Sequence, residues 1–113
     1  MQVDFNLEDI RNHDNADEII TGRLANHDFL ARVLLWILNL DYQGKNTFKA
    51  NELANWSNKP QNYCKWALKE LKRIGLLKEV MVKRKSSFFL NKEIEETKLN
   101  EYIEIAKKTL GLK

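Results

Sequence analysis

The residues of this 113-residue chain best suited to chemistry are cations. Lys69, Arg73, Lys83, Arg84 and Lys85, with Lys59 and Lys65 close by, fall between positions 57 and 92, where ten basic residues meet only two acidic ones. A lysine or arginine set against a phosphate releases condensed counterions, which gives affinity for a nucleic-acid backbone without reading its sequence. Reading requires side chains that reach base edges. Gln61 and Asn62 carry the amide donor and acceptor pair that suits adenine, and Tyr63, Lys65 and Trp66 lie beside them. Each good bidentate contact of that kind discriminates between bases by about 1 to 3 kcal/mol.

The formal net charge of +3 conceals this concentration. Residues 1 to 42 hold three basic and eight acidic residues, and residues 93 to 113 hold four basic and five acidic ones. Positive charge is therefore segregated into one stretch. The acidic N-terminal segment, residues 1–25, is expected to lie away from any phosphates that stretch meets.

Other chemistries lack their residues. A single cysteine, Cys64, excludes an intrachain disulfide framework and a zinc site built on several thiolates, and it reads as a small buried hydrophobe. Gly22, Gly44, Gly75 and Gly111 are too scattered for a phosphate-cradling loop, and His13 and His27 read as surface or capping residues. The group Asp14, Asn15, Asp17 and Glu18 lacks the glycine and distal glutamate of a calcium loop, so it reads as a solvated loop or the first turn of a helix. No nucleophile, paired carboxylate or metal cluster stands at usable spacing, so neither an enzyme nor a metal or cofactor is implied. The longest apolar run, Phe29 to Leu40, is interrupted by Arg32 and too short to cross a bilayer. The opening Met-Gln-Val-Asp-Phe carries no basic signal-peptide region, and with one cysteine the expected setting is cytoplasmic, beside the nucleoid.

The elements that must position the cations follow from hydrophobic periodicity. A composition 43% hydrophobic supplies the core of one domain, spanning residues 1–113. Leu30, Val33, Leu34, Ile37 and Leu40 predict a helix from about Asn26 to Tyr42, stopped near Gly44. Phe29, Leu35, Trp36 and Leu38 make that helix apolar on most sides, so most of its circumference must be covered. An extended Thr47–Lys49, a brief helix at Asn51–Trp56 and a helix from Pro60 to Arg73 follow. The last of these buries Cys64, Ala67, Leu68 and Leu71 and ends at Gly75. Leu76–Val82 and Ser87–Leu90 read as paired strands joined by a loop of three to five residues. A final helix is predicted over Lys92–Leu110, capped by Asn91, with Leu99, Tyr102, Ile103, Ala106 and Leu110 on one stripe.

Glu52-Leu53-Ala54, followed by Ala67-Leu68, Leu71 and Gly75-Leu76-Leu77, resembles the winged helix-turn-helix pattern of small transcription regulators of prokaryotic or viral type. The resemblance covers about residues 29 to 91. It implies a mainly α fold with a small β-hairpin wing, a core over residues 26–91, and a C-terminal helix at 92–113. The chain departs from the pattern at Pro60, where a serine commonly caps the recognition helix, and at Asn58 and Lys59 in the turn, where Trp56 could supply the missing hydrophobe. The resemblance further implies sequence-specific binding of double-stranded DNA by a transcriptional regulator, with the helix at 60–73 in the major groove and the basic wing at 83–86 on the backbone.

The C-terminal stripe, together with Trp36, points to a homodimer presenting two recognition helices about one helical turn apart, ~34 Å. The other arrangement is a terminal helix folded back over its own first helix. Three functional alternatives remain open on the residues alone: a regulator, a plasmid or viral replication or partition protein, and an interaction module holding an acidic protein through Trp66, Tyr63 and the basic rim. Trp66 itself could pack on a sugar-phosphate strand, brace the wing or mark a protein interface. No polar group on the terminal stripes identifies a small-molecule effector.

Overall fold

The first helix, α1 (Asp28–Tyr42), withdraws every residue from Phe29 to Leu38 from water. Burial of each large aliphatic side chain contributes about 1.5 to 3 kcal/mol, so α1 is the rod on which the other elements assemble. Even Arg32 is only 4% exposed, with its guanidinium 5.1 Å from the centre of the Phe29 ring. The helix ends where Gly44 takes a positive φ of 102° and Lys45 N–H returns to the Leu40 carbonyl at 2.9 Å. This computed structural model describes residues 28–111. The expectations for the acidic segment, including its distance from Lys83–Lys85, the Asp14–Glu18 group and the roles of His13 and His27, lie outside the described residues.

Two short helices follow. Glu52 accepts the Lys49 backbone N–H at 3.0 Å and so satisfies one orphan donor at the start of α2 (Ala50–Ser57). Asn58, left-handed at φ 59°, ends that helix and donates its N–H to the Ala54 carbonyl. Pro60 immediately precedes α3 (Gln61–Arg73), and its carbonyl accepts N–H groups from both Tyr63 and Cys64 at 3.1 Å. The missing serine cap is thus met by closing the first turn on the backbone. Cys64, Ala67, Leu68 and Leu71 are all buried, as their spacing predicts.

Strands β1 (Leu77–Val82) and β2 (Lys85–Leu90) pair antiparallel, from Leu77 opposite Leu90 to Val82 opposite Lys85. The expected loop of three to five residues is instead a two-residue turn. Lys83 and Arg84 have φ of 51° and 66°, the left-handed pair that a tight hairpin demands and that Asn-Gly usually supplies. Phe48 covers the other edge of β2 by exchanging backbone hydrogen bonds with Phe88 at 2.7 and 2.9 Å.

The last helix, α4 (Glu96–Thr109), starts later than expected because Asn91 does not cap it. The Asn91 amide donates to the Gly75 carbonyl at 2.9 Å, and its oxygen accepts the Glu93 N–H at 3.0 Å, which commits it to the end of α3 and a local turn. Tyr102 completes the same cap by donating its hydroxyl to the Ile74 carbonyl at 2.9 Å. Through Ala106 and Leu110, both buried, α4 packs into the core beside α1. Trp36, 3% exposed, lies inside the chain, stacked on Trp56 and edge-on to Phe48. Half of the residues expected at a dimer interface are therefore internal, while Leu99, Tyr102 and Ile103 stay partly buried against the same core.

The architecture is mainly α, four helices with a two-stranded antiparallel hairpin between α3 and α4, consistent with a winged helix-turn-helix arrangement. Among the described residues no helix is long and apolar enough to cross a membrane. The Tyr102 cap ties α4 to the end of α3 through one hydrogen bond, so Tyr102→Phe is expected to cost about 1 kcal/mol in urea unfolding, with the helical content of the folded state unchanged.

Candidate nucleic-acid interface

The first residues of α2, the first turns of α3 and the far end of the hairpin converge on a cleft of about 400 Å³. Lys49, Ala50 and Asn51 form one wall, Gln61 and Lys65 the second, and Arg84, Lys85 and Ser86 the third, with Phe88 also lining it. Four cations line this cleft, and among the described residues no carboxylate does. Two helix N-termini border it, where unsatisfied backbone N–H groups and the helix dipole add partial positive charge. The arrangement suits an anion with several acceptor oxygens.

At about 100° per residue, Gln61, Lys65 and Lys72 share the flank of α3 nearest the cleft and hairpin. Gln61, Asn62 and Lys65 are exposed, and Gln61 and Lys65 enter the cleft lining. Tyr63 and Trp66 turn to the other flank. There the Tyr63 ring stacks on Phe29 at 4.7 Å and on Trp66 at 5.5 Å, an aromatic column that ties α3 to α1. Burial pushes the Tyr63 hydroxyl up to about 12. Cys64 is buried beside the Ser57 hydroxyl, 3.7 Å away, and burial raises its pKa as well, which disfavours the reactive thiolate.

The cations expected to meet phosphates divide into two sets. Lys69 is bound to Glu79 at 3.0 Å and Arg73 to Glu70 at 2.7 Å. Lys59, Lys83, Arg84 and Lys85, together with Lys65 and Lys49, have no carboxylate partner among the described residues. Lys49 and Asn51 escaped the sequence reading. Their signal was their place at the start of a helix whose first turn is closed by Glu52, one spacing away from the charge-rich stretch.

Glu79 escaped it too. Its side chain is 9% exposed and accepts from Lys72 at 2.9 Å, from Lys69 at 3.0 Å and from the Ser86 hydroxyl. These bonds join α3 to both strands of the hairpin. The Lys72 hydrogen bond, then Ser86 and Lys69, hold the Glu79 carboxyl down at about 2 against a partial opposing effect of burial.

No protein-family model matches the chain, nor does any curated protein or solved structure. The site is therefore read from its own geometry.

A carboxyl whose folded-state pKa lies below its ordinary value adds stability above that ordinary value and loses it as protons bind. For Glu79 the window runs from its ordinary 4.5 down to about 2. Acid titration of the folded chain should show a stability loss in that window which Glu79→Gln lacks, measured by urea unfolding at a series of pH values.

Proposed function

We propose that the chain binds double-stranded DNA as a winged-helix module, with α3 in the major groove and the turn of the hairpin on the backbone. The observation that carries this reading is the cleft lined by Lys49, Lys65, Arg84 and Lys85, with no carboxylate among the described residues that line it, beside the exposed start of α3. Gln61, Asn62 and Lys65 are the base-reading side chains, and Lys49, Lys59, Lys83, Arg84 and Lys85 the phosphate contacts. Lys69 and Arg73 stay with their carboxylates. Tyr63 and Trp66, both half-buried, brace the helix from its other flank through the stack on Phe29. The resemblance makes transcriptional regulation the biological setting.

The turn adds a second line of support. A non-glycine residue in the left-handed region costs about 1 kcal/mol or more, and the chain accepts that cost twice, at Lys83 and Arg84. Strain retained where an unstrained sequence is available is characteristic of functional positions. Here what the strained residues supply is charge at the tip.

Two measurements test the reading. Fluorescence anisotropy with a short duplex across a salt series should show Lys83→Ala, Arg84→Ala and Lys85→Ala together lowering affinity and flattening the log–log salt slope by about 2 to 3, near 0.9 for each phosphate contact removed. Affinity unaffected by the triple change would remove the hairpin from the interface. The double change Lys83→Asn with Arg84→Gly should raise stability by about 1 to 2 kcal/mol in urea unfolding while weakening duplex binding.

A further inference from the structure

We infer that Glu79 is a positioning residue for the nucleic-acid interface: by gathering Lys69, Lys72 and Ser86 onto one carboxylate, it holds the cationic end of the hairpin across the cleft from Lys49 and Lys65. The inference rests on the DNA-binding reading above and deepens it.

The hairpin is anchored at its base by Leu77, Phe88 and Leu90, all buried, and by the Phe48 bridge. No residue from 78 to 87 is buried. Val80, Met81 and Val82 are 44%, 63% and 57% exposed, so apolar packing does not hold the outer half of the hairpin. A two-stranded hairpin is marginal by itself. Glu79 supplies the missing attachment, since two of its donors come from α3 and the third, Ser86, lies on the opposite strand and on the cleft wall. Ser86 adjoins Lys85 in sequence, so the bond that fixes Ser86 also fixes the backbone from which Lys85 and Arg84 project.

Charge arithmetic opposes this role, which makes it decidable. Glu79 places a negative charge on a face meant for a polyanion, and removing it raises the net charge by one. On electrostatics alone, Glu79→Gln should bind DNA more tightly with a steeper salt slope. If Glu79 positions the hairpin, the same change should bind several-fold more weakly with a flatter slope, because Arg84 and Lys85 no longer meet phosphates together with Lys65. A loss of global stability alone would lower the active fraction and leave the slope unchanged.

The experiment uses the full chain with Glu79→Gln and, as a charge-neutral second variant, Ser86→Ala. Each is checked for native circular dichroism, and binding to a short duplex is measured at several salt concentrations. Alongside, backbone order parameters by NMR report the mobility of residues 80 to 87 without DNA. Weaker binding, a flatter slope and lower order parameters for both variants are the expected result. Order parameters equal to wild type, or tighter binding by Glu79→Gln, overturn the inference. Absence of duplex binding by the wild type at low salt overturns the DNA-binding reading instead, and the order parameters still decide whether Glu79 holds the hairpin.

Discussion

A helix that loses water contact along its length must be enclosed from several directions, and α1 imposes that demand on everything else in the chain. From Phe29 to Leu38 no residue reaches solvent appreciably. The enclosure comes from different parts of the sequence: α3 through the Phe29–Tyr63–Trp66 column, Phe48 and Trp56 around Trp36, and α4 through Ala106 and Leu110. Each covering element is amphipathic and turns its other face outward. The outer flank of α3, with the start of α2 and the tip of the hairpin, bears the cations that have no carboxylate partner among the described residues. Burial of α1 and presentation of positive charge are thus two sides of the same packing.

Electrostatics then sorts the charges by use. Five of the ten basic residues between 57 and 92 are held by carboxylates: Lys69 and Lys72 by Glu79, Arg73 by Glu70, Lys78 by Glu93 and Lys92 by Asp41. The pairs of Glu93 with Lys78 and of Lys45 with Glu52 are exposed enough to contribute little to stability, whereas Glu79 is nearly enclosed. All five cations held between 57 and 92 are removed from competition for an anion. The five left over, Lys59, Lys65, Lys83, Arg84 and Lys85, lie near the start of α3 and at the hairpin tip. The candidate interface is therefore narrower than the charge run.

Legibility followed the range of the interaction. The buried face of α3 could be read because Cys64, Ala67, Leu68 and Leu71 repeat with the helical period, and α1 because apolar residues crowd nearly all its positions. The two-residue turn could not be read from propensity, since lysine and arginine are poor left-handed formers. Asn91 looked like a cap for the helix that follows it; it caps the helix that ended before the hairpin, sixteen residues back at Gly75, a partnership visible only in three dimensions. Glu79 was hidden for the same reason, its three partners lying on another helix and another strand. The apolar stripe of α4 was visible, but a stripe states that something covers it and not what. Here much of the cover is the chain's own core.

The left-handed turn also bears on how the molecule acquires its shape. A hairpin joined by Asn-Gly can begin at its turn, because the local sequence already favours the bend. Lys83-Arg84 offers no such start, and the repulsion among three consecutive cations opposes closure further. Nothing local favours the bend, so closure depends on pairing elsewhere along the strands, with Leu77 opposite Leu90 among buried residues at the far end.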